Sequence, residues 1–163
     1  MVSDDTYLAA LKMLARRELS EAQLRQRLIR REHDPEAIEA ALARLRAERS
    51  LDDERVAGAI ARSETGLKKR GRYRVLRRIE AAGIAPAIAR RAVDETFATI
   101  DADALMNEAL ARRLRGKARI EDDKAFNRLY RYLVAQGFEP DRVMALLRTK
   151  SGFSRTPTYN REQ

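Results

Sequence analysis

The sequence predicts an all-α fold, an elongated, curved array of three tandem three-helix repeats, and three observations carry that expectation. The composition is rich in Ala, Arg, Glu and Leu, with seven glycines and 36% charged residues in a chain of 163, a mixture that favours helices over sheets. Pro35, Pro86 and Pro140 stand 51 and 54 residues apart, and the same apolar positions recur around each. Leu24, Val75 and Leu129 lie eleven residues before the prolines, Leu28, Ile79 and Leu133 seven before, and Leu42, Val93 and Leu147 seven after. The first two rows are i, i+4 neighbours on a helix, so one buried stripe is written three times. The punctuation also repeats: Gly83 and Gly137 precede their prolines by three residues, where a left-handed residue ends one helix before proline opens the next. Glu32 holds that place in the first copy.

Leu8, Leu11, Leu14 and Ala15 mark the first helix, and Ser20 opens the second with a capping-box pattern, Ser-Glu-Ala-Gln. Asp34 is a good N-cap for the third, which begins at Pro35. Ser50 with Asp53 is expected to open the fourth, carrying Val56, Ala59 and Ile60 inward. The fifth holds Val75, Leu76 and Ile79, and the sixth follows Pro86. The seventh runs from about Asp101 through Leu105, Ala109 and Leu110 towards Gly116, Asp122 or Asp123 caps the eighth, and Pro140 opens the ninth. The repeats are therefore placed at 1–49, 50–98 and 99–150. The tail 151–163 has no periodic apolar positions and is expected to be disordered.

A net charge of +9 with pI near 10.3 points to an acidic partner, nucleic acid being the commonest. The charge is uneven: Glu32 to Glu54 carries eight acids against three bases, an acidic face suited to a protein partner. The absence of cysteine excludes disulfides and Cys-ligated zinc. No apolar run is long enough for a membrane span or signal peptide, so a soluble, cytoplasmic, monomeric protein is expected.

Directly after the acidic segment, Arg62 to Arg78 holds eight basic residues against one acid in seventeen. If its end is helical, Arg70, Tyr73, Arg74 and Arg77 share one face while Val75, Leu76 and Ile79 share the other. The crowded cations, with no acids nearby to pair with them, predict an anion site on Lys68, Lys69, Arg70, Arg72, Tyr73, Arg74, Arg77 and Arg78. Smaller basic groups are Arg25, Arg27, Arg30 and Arg31 in the first repeat and Arg112, Arg113, Arg115, Lys117 and Arg119 in the third.

Other candidates have simpler explanations. His33 aligns with Ile84 and Phe138, the residue before each cap, which packs against Ile38, Ala89 or Val143 as a hydrophobic staple. Asp52, Asp53 and Glu54, like Glu121, Asp122 and Asp123, open expected helices, where acids cap free N–H groups rather than converge on metal ions. Gly66 to Tyr73 imitates a P-loop but lacks its lysine and hydroxyl and follows a helix; its glycines are expected to give a mobile basic connection. No catalytic residue, metal or cofactor is expected.

The segments SEAQLRQRLIRREHDPEAIEAALARL, LDDERVAGAIARS, GRYRVLRRIEAAGI and AFNRLYRYLVAQGF resemble the RecX family, bacterial regulators of the RecA recombinase, over about Leu8 to Leu147. The resemblance implies tandem three-helix repeats and a non-enzymatic modulator, mainly inhibitory, that binds the RecA–DNA filament and also single- or double-stranded DNA. The alternative class is a helix-turn-helix transcription or nucleoid protein. Its recognition helices would need base-reading residues at their starts, in which EAIEA, AIARR and DRVMA are poor.

Overall fold

The computed structural model describes residues 2–117 and 119–152. Among these, nine helices form three consecutive triplets: α1 (Val2–Leu14), α2 (Glu21–Ile29) and α3 (Pro35–Ala47); α4 (Asp53–Gly66), α5 (Arg72–Glu80) and α6 (Pro86–Ala98); α7 (Ala102–Leu114), α8 (Asp123–Ala135) and α9 (Pro140–Lys150). The principal helix packing falls inside each triplet, around three separate apolar cores. The fold is thus an all-α array of three-helix units.

Every residue of the repeating apolar rows is buried, from Leu24 to Leu147. The register of α1 differs from expectation. Leu8 is 49% exposed, and Thr6, Ala10 and Met13 turn inward instead. Leucines at 8, 11 and 14 sit on more than one face of a helix, so periodicity alone leaves the inward face open.

Asp34, Asp101 and Asp122 cap α3, α7 and α8, and Ser20 with Gln23 forms the capping box of α2. For α4 the cap is Asp52, which accepts from the Arg55 N–H, rather than Ser50 with Asp53. His33 is half-buried, with Nδ1 3.0 Å from Thr6 Oγ1. Of the expected disordered tail, Ser151 makes an isolated bridge with Ile120, and residues 153–163 lie outside the described residues.

The units join through their second helices, end to end. At the first joint the Ser20 hydroxyl, fully buried, donates to the Ala82 carbonyl past the C-terminus of α5, and the Glu21 N–H donates to Asp53 Oδ1 at 2.8 Å. At the second joint the N–H groups of Gly71 and Tyr73 donate to the carbonyls of Gln136 and Gly137, at 2.9 and 3.1 Å. The N-terminus of α5, which has no side-chain cap, is therefore satisfied by the end of α8, so unpaired donors meet unpaired acceptors. Such closeness excludes side chains: a Cβ on Gly71 would meet the Gly137 carbonyl, and one on Gly137 (φ +97°) would meet the Arg74 backbone. Gly83 (φ +77°) packs likewise against Ala22. Glu32 adopts the same left-handed conformation, φ +59°, at the end of α2, where no such helix junction is found among the described residues.

Candidate nucleic-acid interface

The turn between α4 and α5 gathers the densest cations of the chain, and the structure commits most of them to partners. Glu64, 3% exposed, accepts from Lys68 Nζ at 2.8 Å and from the Arg70 guanidinium. Burial pushes its carboxyl up, but the hydrogen bonds and charges of Lys68 and Arg70 together outweigh it and hold the group below the ordinary glutamate range. Lys69 pairs with Glu108 at 2.8 Å, and Arg72 pairs with Asp94. Arg74 donates to the Ala135 carbonyl at 3.1 Å, and Arg112 reaches back to the Leu67 carbonyl at 2.7 Å. These cations fasten the turn and the joint behind it.

The expectation of a cationic run without acids to pair is thus corrected. Glu64 stands four residues before Lys68 on the same helical turn, whereas Asp94 and Glu108 arrive from α6 and α7 through tertiary packing. Arg70 also lies outside α5 and turns to Glu64, so it does not share a helix face with Tyr73, Arg74 and Arg77. Tyr73 is 48% exposed, and Arg77 and Arg78 are exposed without an acidic partner among the described residues.

Arg78 opens onto a larger surface. A cleft of about 370 Å³ between the first two units is lined by Arg17, Glu18, Gln23, Glu64, Lys68 and Arg78 together with Val56 and Ile60. A second cleft of similar volume beside α2 is lined by Arg17, Gln23, Gln26, Arg27, Arg30 and Arg31. Arg17 and Gln23 belong to both, so the two clefts adjoin and bring Arg27, Arg30, Arg31, Arg17 and Arg78 to one side, with Glu18 and Glu64 among them. Arg17, Arg27, Arg30 and Arg31 are exposed and have no acidic partner among the described residues. Arg17 stands apart from the basic clusters of the sequence and joins them only through folding. The repeat register does carry a signal: Arg27 and Arg78 lie eight residues before their prolines, Arg77 and Arg131 nine, Arg74 and Arg128 twelve. In the third unit Arg115, Lys117, Arg119 and Arg128 line another cleft, of about 270 Å³, while Arg113 lies 4.9 Å from the centre of the Tyr132 ring.

Three of the eight acids of the acidic segment, Glu39, Glu48 and Glu54, are paired with arginines, while Glu32, Asp34 and Glu36 stay exposed. Arg25 bridges Glu21 and Glu39, and Arg44 holds Glu48 at 2.9 Å while lying 3.8 Å over the Tyr7 ring. The Tyr7 hydroxyl, donating to Glu48, and Arg44 hold the Glu48 carboxyl below the usual range. Arg91 takes Glu54, and Arg55 takes Glu18. The carboxylates at 52–54 serve as a cap, a joint acceptor and an ion pair. Burial pushes the Asp53 carboxyl up, against the hydrogen bond it accepts from Glu21. Among the described residues no three of His, Cys, Asp and Glu gather as metal ligands, and no helix is long and apolar enough to cross a membrane.

Comparison with known proteins places this array. Residues 7–45 match the family model described as RecX, first three-helix domain. The chain is 31% identical over 135 residues to the regulatory protein RecX of Syntrophotalea carbinolica, covering 82% of this chain and 88% of that one. It is 32% identical over 138 residues to the RecX of Halorhodospira halophila, covering 84% and 83%. In fold it is similar to the crystal structure of RecX from Lactobacillus salivarius, with a TM-score of 0.72 at 17% identity over 91% of this chain and 96% of that one. A further RecX crystal structure gives 0.73 at 18% identity, over 91% and 72%. These relatives are named as regulatory proteins rather than enzymes, and the chain belongs to the RecX family.

Proposed function

We propose that this protein is a non-enzymatic, cytoplasmic regulator that binds the RecA nucleoprotein filament and its DNA as a monomer and inhibits recombinase activity. The carrying observation is that Arg17, Arg27, Arg30, Arg31 and Arg78 line two adjoining clefts built by two units and have no acidic partner among the described residues, while the acids of that lining, Glu18 and Glu64, are paired with Arg55 and with Lys68 and Arg70. Free guanidinium groups at a surface take phosphate oxygens readily. Arg17, Arg27, Arg30, Arg31, Arg77 and Arg78 are the polyanion contacts in this reading, with Tyr73 at the edge and Lys68 held back by Glu64. Lys69, Arg70, Arg72 and Arg74 hold the turn and joint that position Arg77 and Arg78. Membership of a family of regulatory proteins supports a regulatory role, and an array of joined units suits a ligand that is itself a repeating polymer such as the filament.

The test is the DNA-dependent ATPase and strand exchange of RecA filaments, with the protein at one copy per many RecA subunits. Inhibition at that ratio is expected, and it should weaken in Arg17→Gln/Arg27→Gln/Arg78→Gln. Unchanged filament activity combined with tight binding to bare DNA would sink the reading.

A further inference from the structure

The cleft across the first joint differs from the rest of the basic surface, because it is not only cationic. Its lining carries Arg17 and Glu18 from the first unit with Glu64, Lys68 and Arg78 from the second, and Val56, Ala59 and Ile60 among them; Glu18 is paired with Arg55 and Glu64 with Lys68 and Arg70, which leaves Arg17 and Arg78 as the cations open to a phosphate. Ala59 and Ile60 are half-buried, so apolar surface remains open to a guest. A phosphate alone would gain nothing from that surface. Gln23 adds a polar group of defined orientation. Its Oε1 accepts the Ser20 N–H at 3.1 Å in the capping box, so the amide NH₂ keeps its donors for a guest. The volume, about 370 Å³, falls in the range of small-ligand sites, roughly 300–1,000 Å³.

Resting on the polyanion reading above, we infer that this cleft takes one nucleotide of a single strand with its base inward: the phosphate on Arg17 and Arg78, the base face on Ile60, and a base acceptor on the Gln23 amide. The arrangement favours strands whose bases are free over duplex, in which the bases are stacked and paired away from the protein. It is sequence-tolerant, since every base offers an apolar face and a ring nitrogen or carbonyl acceptor. A strand held this way touches both units at once, so it also bridges the joint made by Ser20 and Ala82.

Two ligands separate the base from the phosphates: a single-stranded oligothymidylate and an abasic oligonucleotide of equal length, compared by fluorescence anisotropy with the full chain. The oligothymidylate is expected to bind measurably tighter, by no more than about fivefold, since an aliphatic face gives a base less than the aromatic stacking for which that is the low end. Ile60→Ala should remove most of that difference while leaving abasic affinity unchanged, which also shows that the variant is folded. Arg78→Gln should weaken both ligands by the same factor. Polyglutamate should displace oligothymidylate poorly. Equal affinity for the two oligonucleotides, a difference that survives Ile60→Ala, or displacement by polyglutamate as effective as by the abasic strand each overturns the inference while the polyanion reading stands. Absence of binding to either oligonucleotide overturns both.

Discussion

Glu64 decides what the basic turn can do. A carboxylate 3% exposed is tolerable only because Lys68 and Arg70 hydrogen-bond to it, and those two cations are thereby withdrawn from a ligand. Glu64→Gln removes the negative charge and keeps the shape. It is expected to cost about 1–3 kcal/mol in urea unfolding, below the figure for a fully buried pair because Lys68 remains about half exposed. The pH dependence has a definite sign. The folded Glu64 carboxyl titrates below the unfolded value, ~4.3, so its stabilisation is complete above that value and fades as pH falls through the folded one. The stability gap between wild type and Glu64→Gln should therefore be widest near neutrality and close in acid. A gap that stays unchanged throughout the acid range in which both proteins remain folded would show that the pair is not what Glu64 contributes.

Helix ends, more than helix faces, account for how the three units become one molecule. The apolar rows were readable in the sequence because the repeat states each position three times and the i, i+4 spacing admits only a helix. The side-chain caps were readable to within two residues, the miss being Ser50 for Asp52 at α4, since Asp and Ser act locally. The joints were not, because the partners of Gly71 are Gln136 and Gly137, more than sixty residues away. A glycine with ordinary φ, as at Gly71, gives no local sign that its missing Cβ is needed by a neighbour. Gly137→Ala should combine left-handed strain with a backbone collision and cost at least about 2 kcal/mol. Glu32 supplies the control, because it occupies the equivalent position at φ +59° without a helix junction among the described residues. Glu32→Gly should stabilise by about 0.5–1 kcal/mol, since relief of left-handed strain slightly exceeds the added chain entropy. Thermal unfolding of the two variants tests the contrast. Equal and small effects would mean that the joints do not couple the units.

Across the molecule, the net charge of +9 separates into cations that hold the structure and cations left for a ligand. Sequence density pointed to the turn between α4 and α5, yet density is also what a chain needs to tie a turn to Glu64, Asp94 and Glu108. The free set is more dispersed in sequence and collects through folding, with Arg17 as the link between two clefts. Salt dependence distinguishes the sets, because only a cation that displaces counterions from DNA contributes to the slope of log affinity against log salt. Arg27→Gln/Arg31→Gln/Arg78→Gln should lower that slope on duplex DNA by up to about 3, near 0.9 for each phosphate no longer neutralised. Lys69→Gln/Arg70→Gln/Arg72→Gln should shift it by less than about one unit, although it unfolds at lower urea because Glu64 is deprived of a partner. Measured below the unfolding transition of both variants, the reverse ranking would return the polyanion contact to the turn and make the ion pairs seen there a resting state that DNA replaces.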